Sequence, residues 1–154
     1  MIPKKILFCT DFSENSEPAG QYAAEYAAVF DADLSIVHVI DSWAGYPWYT
    51  EGAPQNILTV VKHLEELTTV KLEQVAKELG KKKESVKTFL SNGVPAEEIV
   101  RVAEQESIDL IIMGTHGWSG VRHMLLGSVA EKILRAAPCP VLVVKPIKKG
   151  VAKE

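Results

Sequence analysis

The chain is poor in the features that would commit it to a specialised class. It has only two cysteines in 154 residues, Cys9 and Cys139, far apart and each in an apolar setting. They read as buried free thiols, with no CxxC or Cys/His grouping to hold a metal. No apolar stretch approaches the roughly 18 residues that a membrane span requires. The N-terminal "MIPKKILFCTDF" carries lysines, but its apolar run is too short for a signal peptide and stops at Asp11. Formal net charge is -3, so bulk electrostatics draw the chain to neither nucleic acid nor an anionic membrane. These absences describe a cytoplasmic protein of a reducing compartment. Two nucleotide motifs are missing as well: there is no GxxxxGK(S/T) P-loop, and no GxGxxG follows the first strand.

What is present is the composition of an ordinary globular domain, 47% hydrophobic and 24% charged, long enough to bury a core. The hydrophobic period switches repeatedly. "KKILFCT" (Lys4 to Thr10) is a continuous apolar run, the mark of a strand buried on both faces. After the turn residues of "DFSENSEP", Ala19, Tyr22, Ala23, Tyr26, Ala27 and Phe30 recur at helical spacing. "ADLSIVHVI" reads as a second buried strand. Ile57, Val60, Val61, Leu64, Leu67, Val75 and Leu79 predict a long amphipathic helix that Gly80 can stop. "SVKTFL" (Ser85 to Leu90) alternates as a strand. Pro95, with Glu97 and Glu98, opens a third helix. "IDLIIMG" (Ile108 to Gly114) is a fourth strand, Val129 to Ala137 a fourth helix, and "CPVLVVKP" a fifth strand. Such alternation implies βαβ crossovers and a parallel sheet with helices on both faces. No internal repeat or linker interrupts residues 1–147, which read as one domain with 148–154 as a frayed tail.

In this fold class, ligands bind beyond the C-terminal ends of the strands, where strand order reverses. Those loops hold "CTDFS" and the stretch "MGTHGWSGVRHMLLGSVAEKI", with Gly114, Gly117 and Gly127 at uneven spacing. Glycines admit close backbone approach, and a helix N-terminus offers unpaired N–H groups with partial positive charge. Together they suit a phosphate. Ser128-Val129-Ala130-Glu131 also reads as a capping box, with Ser128 the cap and Glu131 reaching back. Both readings stand on the residues alone. Capping does not account for the long loop from Thr115 to Leu126, which exceeds the usual ~2–6-residue βα connection.

The pattern Gly114-x2-Gly117-x9-Gly127-Ser128 resembles the nucleotide-binding signature of the universal stress protein family. "KKILFCTDFSENS", "IVHVID", "GVPAEEIV", "DLIIMGTHG" and "PCPVLVV" resemble that family in the same order, covering nearly the whole chain. The resemblance implies a Rossmann-like α/β fold of the adenine nucleotide alpha hydrolase-like type. Its five-stranded parallel sheet would run 3-2-1-4-5, and the chain would belong to the ATP-binding branch. Carried over by position, Asp11 and Val39 face the adenine and ribose, and Met113 and Gly114 flank the base–sugar end. Gly117, Gly127, Ser128 and Val129 would hold the phosphates, largely through backbone amides. Cys9 stands at the adenine wall, where the family often has proline or another small residue. Trp118 replaces a basic or polar loop residue, leaving Arg122 to neutralise the outer phosphates; His123 reads as a solvated surface residue.

Three further readings complete the expectation. His38 reads as a hydrogen-bonded core histidine, and Asp11 can also serve as a turn residue after the first strand. The aromatic segment Asp41–Asn56 is either a lid or partner surface or a packed satellite cluster. "THGWSGVRHMLL" holds no acid, so phosphoryl transfer lacks its metal-holding carboxylate. The leading expectation is therefore an ATP-binding stress-response module, with Mg²⁺ as an optional companion of the nucleotide and an unidentified protein partner. The alternatives are a slow ATPase and a dimeric interaction protein without nucleotide. "VLVV" (Val141–Val144), an apolar edge strand in that sheet order, is expected to pair in a homodimer.

Overall fold

The computed structural model describes residues 2–41, 55–80, 86–116 and 126–146. Strands β1 (Lys5–Cys9), β2 (Asp33–Asp41), β3 (Lys87–Gly93), β4 (Leu110–Gly114) and β5 (Val141–Val144) alternate with helices. The helices are α1 (Glu17–Phe30), α2 (Gln55–Leu79), α3 (Pro95–Gln105) and α4 (Ser128–Ala136). All strand pairs are parallel, in the order β3-β2-β1-β4-β5.

Alternation along β1 divides the core into two layers. Leu7 and Cys9 join Val37, Val39, Ile111 and Met113 beneath the apolar faces of α3 and α4. Ile6 and Phe8 join Leu34, Ile36 and Ile112 beneath α1 and α2. Burial on both faces is what a continuous apolar run requires. On α1 the buried stripe is small, Ala19, Gly20, Ala23 and Ala27, so the helix lies close to the sheet. A Cβ on Gly20 would stand 3.0 Å from the Phe8 ring. Tyr22, Tyr26 and Phe30 of the same helix form an edge-to-face ladder beside that stripe.

Several element boundaries differ from the sequence reading. β1 ends at Cys9 rather than Thr10, although the Thr10 amide still donates to the Val37 carbonyl at 3.0 Å. β3 spans Lys87–Gly93 rather than Ser85–Leu90, because its backbone pairs with β2 through Ser91, Asn92 and Gly93. Parallel pairing is made by backbone groups, so polar side chains at the strand's end do not stop it. In α2 the expected apolar face divides: Val75 and Leu79 pack against the core, beside Leu72 and Ala76, which the sequence reading did not name, whereas Val60, Leu64 and Leu67 are exposed. α3 begins as expected, with Val94 as N-cap, proline in the first turn and Glu97 and Glu98 beside it.

Candidate functional site

Because β2 lies on one side of β1 and β4 on the other, the strand order reverses between β1 and β4. Cys9 and Met113 are register partners across that boundary. The loops that leave these two strands meet above it. Cys9, Val39 and Met113 belong to one buried cluster, with Val129 packed against its margin. Four of the residues singled out from the sequence thus share one apolar patch at the C-terminal ends of the strands. Burial pushes the Cys9 thiol above its ordinary range, with Cys139 adding to the rise. Cys9 therefore contributes a small neutral group. Both cysteines are free thiols, Cys9 buried and Cys139 half-buried.

The β1–α1 loop is a compact hydroxyl network. Asp11 Oδ1 accepts from the Ser13 amide at 3.0 Å and from the Ser13 hydroxyl at 2.6 Å, closing an Asx turn. The turn role read for Asp11 is therefore real, and it orients the carboxylate. Ser16 Oγ donates to the Ser13 carbonyl at 2.8 Å. Its one proton is then committed, so in the 3.2 Å Thr10–Ser16 contact the Thr10 hydroxyl donates. Thr10 Oγ1 also accepts from the Phe12 amide at 3.0 Å. Thr10, Ser13 and Ser16 are all buried. They escaped the sequence reading, whose only signal for them was the small hydroxyl residues of "TDFSENS" behind a buried strand. The expected hydrogen-bonded histidine is also present: His38 Nδ1 lies 2.8 Å from the Thr10 carbonyl.

The glycines on the other side serve the chain's own backbone. A Cβ on Gly114 would stand 2.9 Å from the Asn15 carbonyl oxygen, so β4 and the β1–α1 loop touch only because that Cβ is missing. A Cβ on Gly127 would stand 3.2 Å from the Thr115 carbonyl oxygen, which accepts the Gly127 amide at 2.7 Å. The Thr115 amide in turn donates to Val144 of β5.

The start of α4 corrects the capping-box reading. Gly127 is the N-cap, in extended conformation, and no side chain among the described residues caps the helix. Ser128 is the first helical residue and exposed, and Glu131 pairs with Arg135 at 3.1 Å rather than reaching back. The Glu131 amide bonds to the Gly127 carbonyl, as the first intrahelical bond. Helical geometry leaves the amides of Ser128, Val129 and Ala130 without intrahelical acceptors. The helix begins beside the end of β4, where the Gly127 amide bonds to Thr115, and these amides carry the positive end of the α4 dipole. Such a group of donors is suited to an anion.

Gly117 and Arg122, with Trp118 and His123, lie outside the described residues, as does most of the aromatic segment between Asp41 and Gln55. Among the described residues, no group of three or more His, Cys, Asp or Glu is placed to hold a metal ion. No helix among them is long and apolar enough to cross a membrane.

Comparison with known proteins agrees with this architecture. The model of the universal stress protein family matches residues 3–145. Universal stress protein MJ0531 of Methanocaldococcus jannaschii is 41% identical over 148 residues, covering 95% of this chain and 84% of that protein. Universal stress protein MJ0577 of the same organism is 35% identical over 153 residues, covering 92% of this chain and 94% of that protein. The solved structure of MJ0577 superposes with a TM-score of 0.80 over 97% of this chain and 100% of its own, at 34% identity. A universal stress protein from Archaeoglobus fulgidus, solved in complex with dAMP, shares the fold. Its TM-score is 0.65 at 21% identity, over 94% of this chain and 100% of that one.

Proposed function

Because this chain belongs to the universal stress protein family, we propose that it is an ATP-binding regulatory module whose nucleotide occupancy is read by a protein partner. The observation that carries this reading is the N-terminus of α4, whose N-cap is Gly127 with no side-chain cap among the described residues, at the loop that follows β4 beside the β1–β4 switch point. The donors there suit phosphate. The apolar patch of Cys9, Val39 and Met113, with the oriented Asp11 carboxylate, suits an adenine and a ribose hydroxyl. In this assignment Met113 and Gly114 flank the base–sugar end. Gly117, Gly127, Ser128 and Val129 receive the phosphates, and Arg122 balances their charge. The fulgidus protein contributes only the fold to this argument. The choice of an adenine nucleotide rests on the glycine signature of this chain.

Residues 1–147 act as one domain in the cytoplasm, in a homodimer formed through Val141–Val144. β5 is an outermost strand, and an apolar edge of that kind is commonly paired. Mg²⁺ would enter with the triphosphate rather than on a carboxylate cage of the protein. Hydrolysis, if it occurs, is slow and incidental.

Two measurements test this reading. Mass spectrometry of the denatured, freshly purified protein should find an adenine nucleotide. Its absence would favour the dimeric interaction protein. Turnover assays with and without Mg²⁺ should show no sustained phosphate release, whereas steady turnover would favour the ATPase.

A further inference from the structure

Phe12 has a backbone φ of 61°, in the left-handed region. A bulky side chain there is an outlier, because its Cβ crowds the backbone carbonyl. Three contacts hold it. Its amide donates to Thr10 Oγ1 at 3.0 Å. Its ring lies on the His38 ring, with centroids 4.2 Å apart and planes tilted by 33°. Lys71 Nζ of α2 stands 4.7 Å from the ring centroid, in range for a cation–π contact.

The same imidazole reaches the loop a second time. A carbonyl oxygen only accepts, so His38 Nδ1 carries the proton and donates to Thr10 O at 2.8 Å. His38 therefore touches residue 10 through a hydrogen bond and residue 12 through its ring. Asp11 lies between these two attachments. Its carboxylate is tied to Ser13, the next residue beyond the strained one. Backbone strain held by several independent contacts is a mark of a position set for function.

We propose that Phe12 and His38 are positioning residues, a two-ring clamp that holds the Thr10–Ser13 turn so that Asp11 is aimed at the ribose end of the nucleotide. The proposal rests on the nucleotide-binding reading above. The clamp touches no ligand itself. It acts by making the bound geometry of Asp11 already present in the free protein, and Lys71 ties that geometry to α2.

The test separates ring, donor and fold. Phe12→Asn keeps a residue that tolerates the left-handed conformation but removes the ring, whereas Phe12→Tyr keeps the ring. His38→Asn keeps a donor near Nδ1 and loses the ring, and His38→Phe does the reverse. Affinities for ATP and AMP are measured by calorimetry, and folding by thermal denaturation. The expected result is a loss of about tenfold in affinity for Phe12→Asn and for both His38 variants, with Phe12→Tyr at the wild-type value. Wild-type affinity in Phe12→Asn, or in His38→Asn should the former not fold, would overturn the clamp while leaving the nucleotide site in place. An equal loss in Phe12→Tyr would overturn it too. No binding by the wild-type protein would overturn the nucleotide reading and the clamp together.

Discussion

Gly114 and Asn15 meet backbone to backbone: a Cβ on Gly114 would lie 2.9 Å from the Asn15 carbonyl oxygen. The glycine that ends β4 is thus explained by the chain's own β1–α1 loop before any ligand is considered. The same contact joins the β1–α1 loop to the end of β4 across the switch point.

Gly114→Ala should therefore destabilise the fold by about 1–3 kcal/mol, the usual range for overpacking against a neighbour that cannot rotate away. Gly127→Ala meets Thr115 O at 3.2 Å, a contact that small shifts can relieve, so it should cost less. Urea denaturation of both variants gives the order. Equal stability of Gly114→Ala and the wild type would show that the Asn15 contact is looser than described.

Ser128 provides a cleaner division between capping and binding. It occupies the first helical turn with no capping bond, so Ser128→Ala should change stability by no more than about 0.5 kcal/mol. ATP affinity should fall, because the proposed assignment gives the phosphates the Ser128 hydroxyl as well as its amide. A stability loss of about 1 kcal/mol or more, the usual cost of a lost N-cap, would reinstate Ser128 as a cap.

The capping error shows what could be read from the chain and what could not. Runs such as Ile6 to Cys9 and Ile111 to Met113 announce buried strands because burial on both faces leaves no room for polar residues. Pro95 with Glu97 and Glu98 announces a helix start because each residue answers a local backbone requirement. "SVAE" carries no such certainty, since a serine three residues before a glutamate looks the same as N-cap or as first helical residue. The outward face of Val60, Leu64 and Leu67, the extension of β3 to Gly93, and the turn of Phe12 onto His38 depend on distant partners. Cys9, Val39 and Met113, named through the family resemblance, share one buried cluster in the structure. The hydroxyl network that aims Asp11 was not legible, because short polar side chains are compatible with many turns.

His38 makes stability depend on pH. Burial lowers its pKa from 6.5, against the raising effects of the Thr10 hydrogen bond and Asp11, while Lys71 lowers it further. The unfolded chain therefore takes up this proton at higher pH than the folded one. The contribution of the neutral imidazole is fully present above 6.5 and is lost as pH falls through the folded value. Between about pH 8 and about pH 5, the wild type should lose more stability than His38→Asn, which cannot titrate there. Parallel loss in both proteins would exclude His38 as the source.

The edge of β5 leads to a prediction about assembly. β5 ends the sheet order among the described residues, and antiparallel pairing of Val141–Val144 with a second copy about a two-fold axis would give its outer edge a partner. Sedimentation at micromolar concentration should give a dimer with and without ATP. A sharp monomer mass under both conditions would end the idea.

Nucleotide binding is the central claim, and calorimetric titration of ATP into the nucleotide-stripped wild-type protein tests it most directly. Saturable binding of one ATP per chain, displaced by AMP and weakened in Ser128→Ala, is the expected result. A protein that is folded by circular dichroism yet gives no binding heat at more than one temperature, and that equilibrium dialysis shows to retain no ATP, would contradict it.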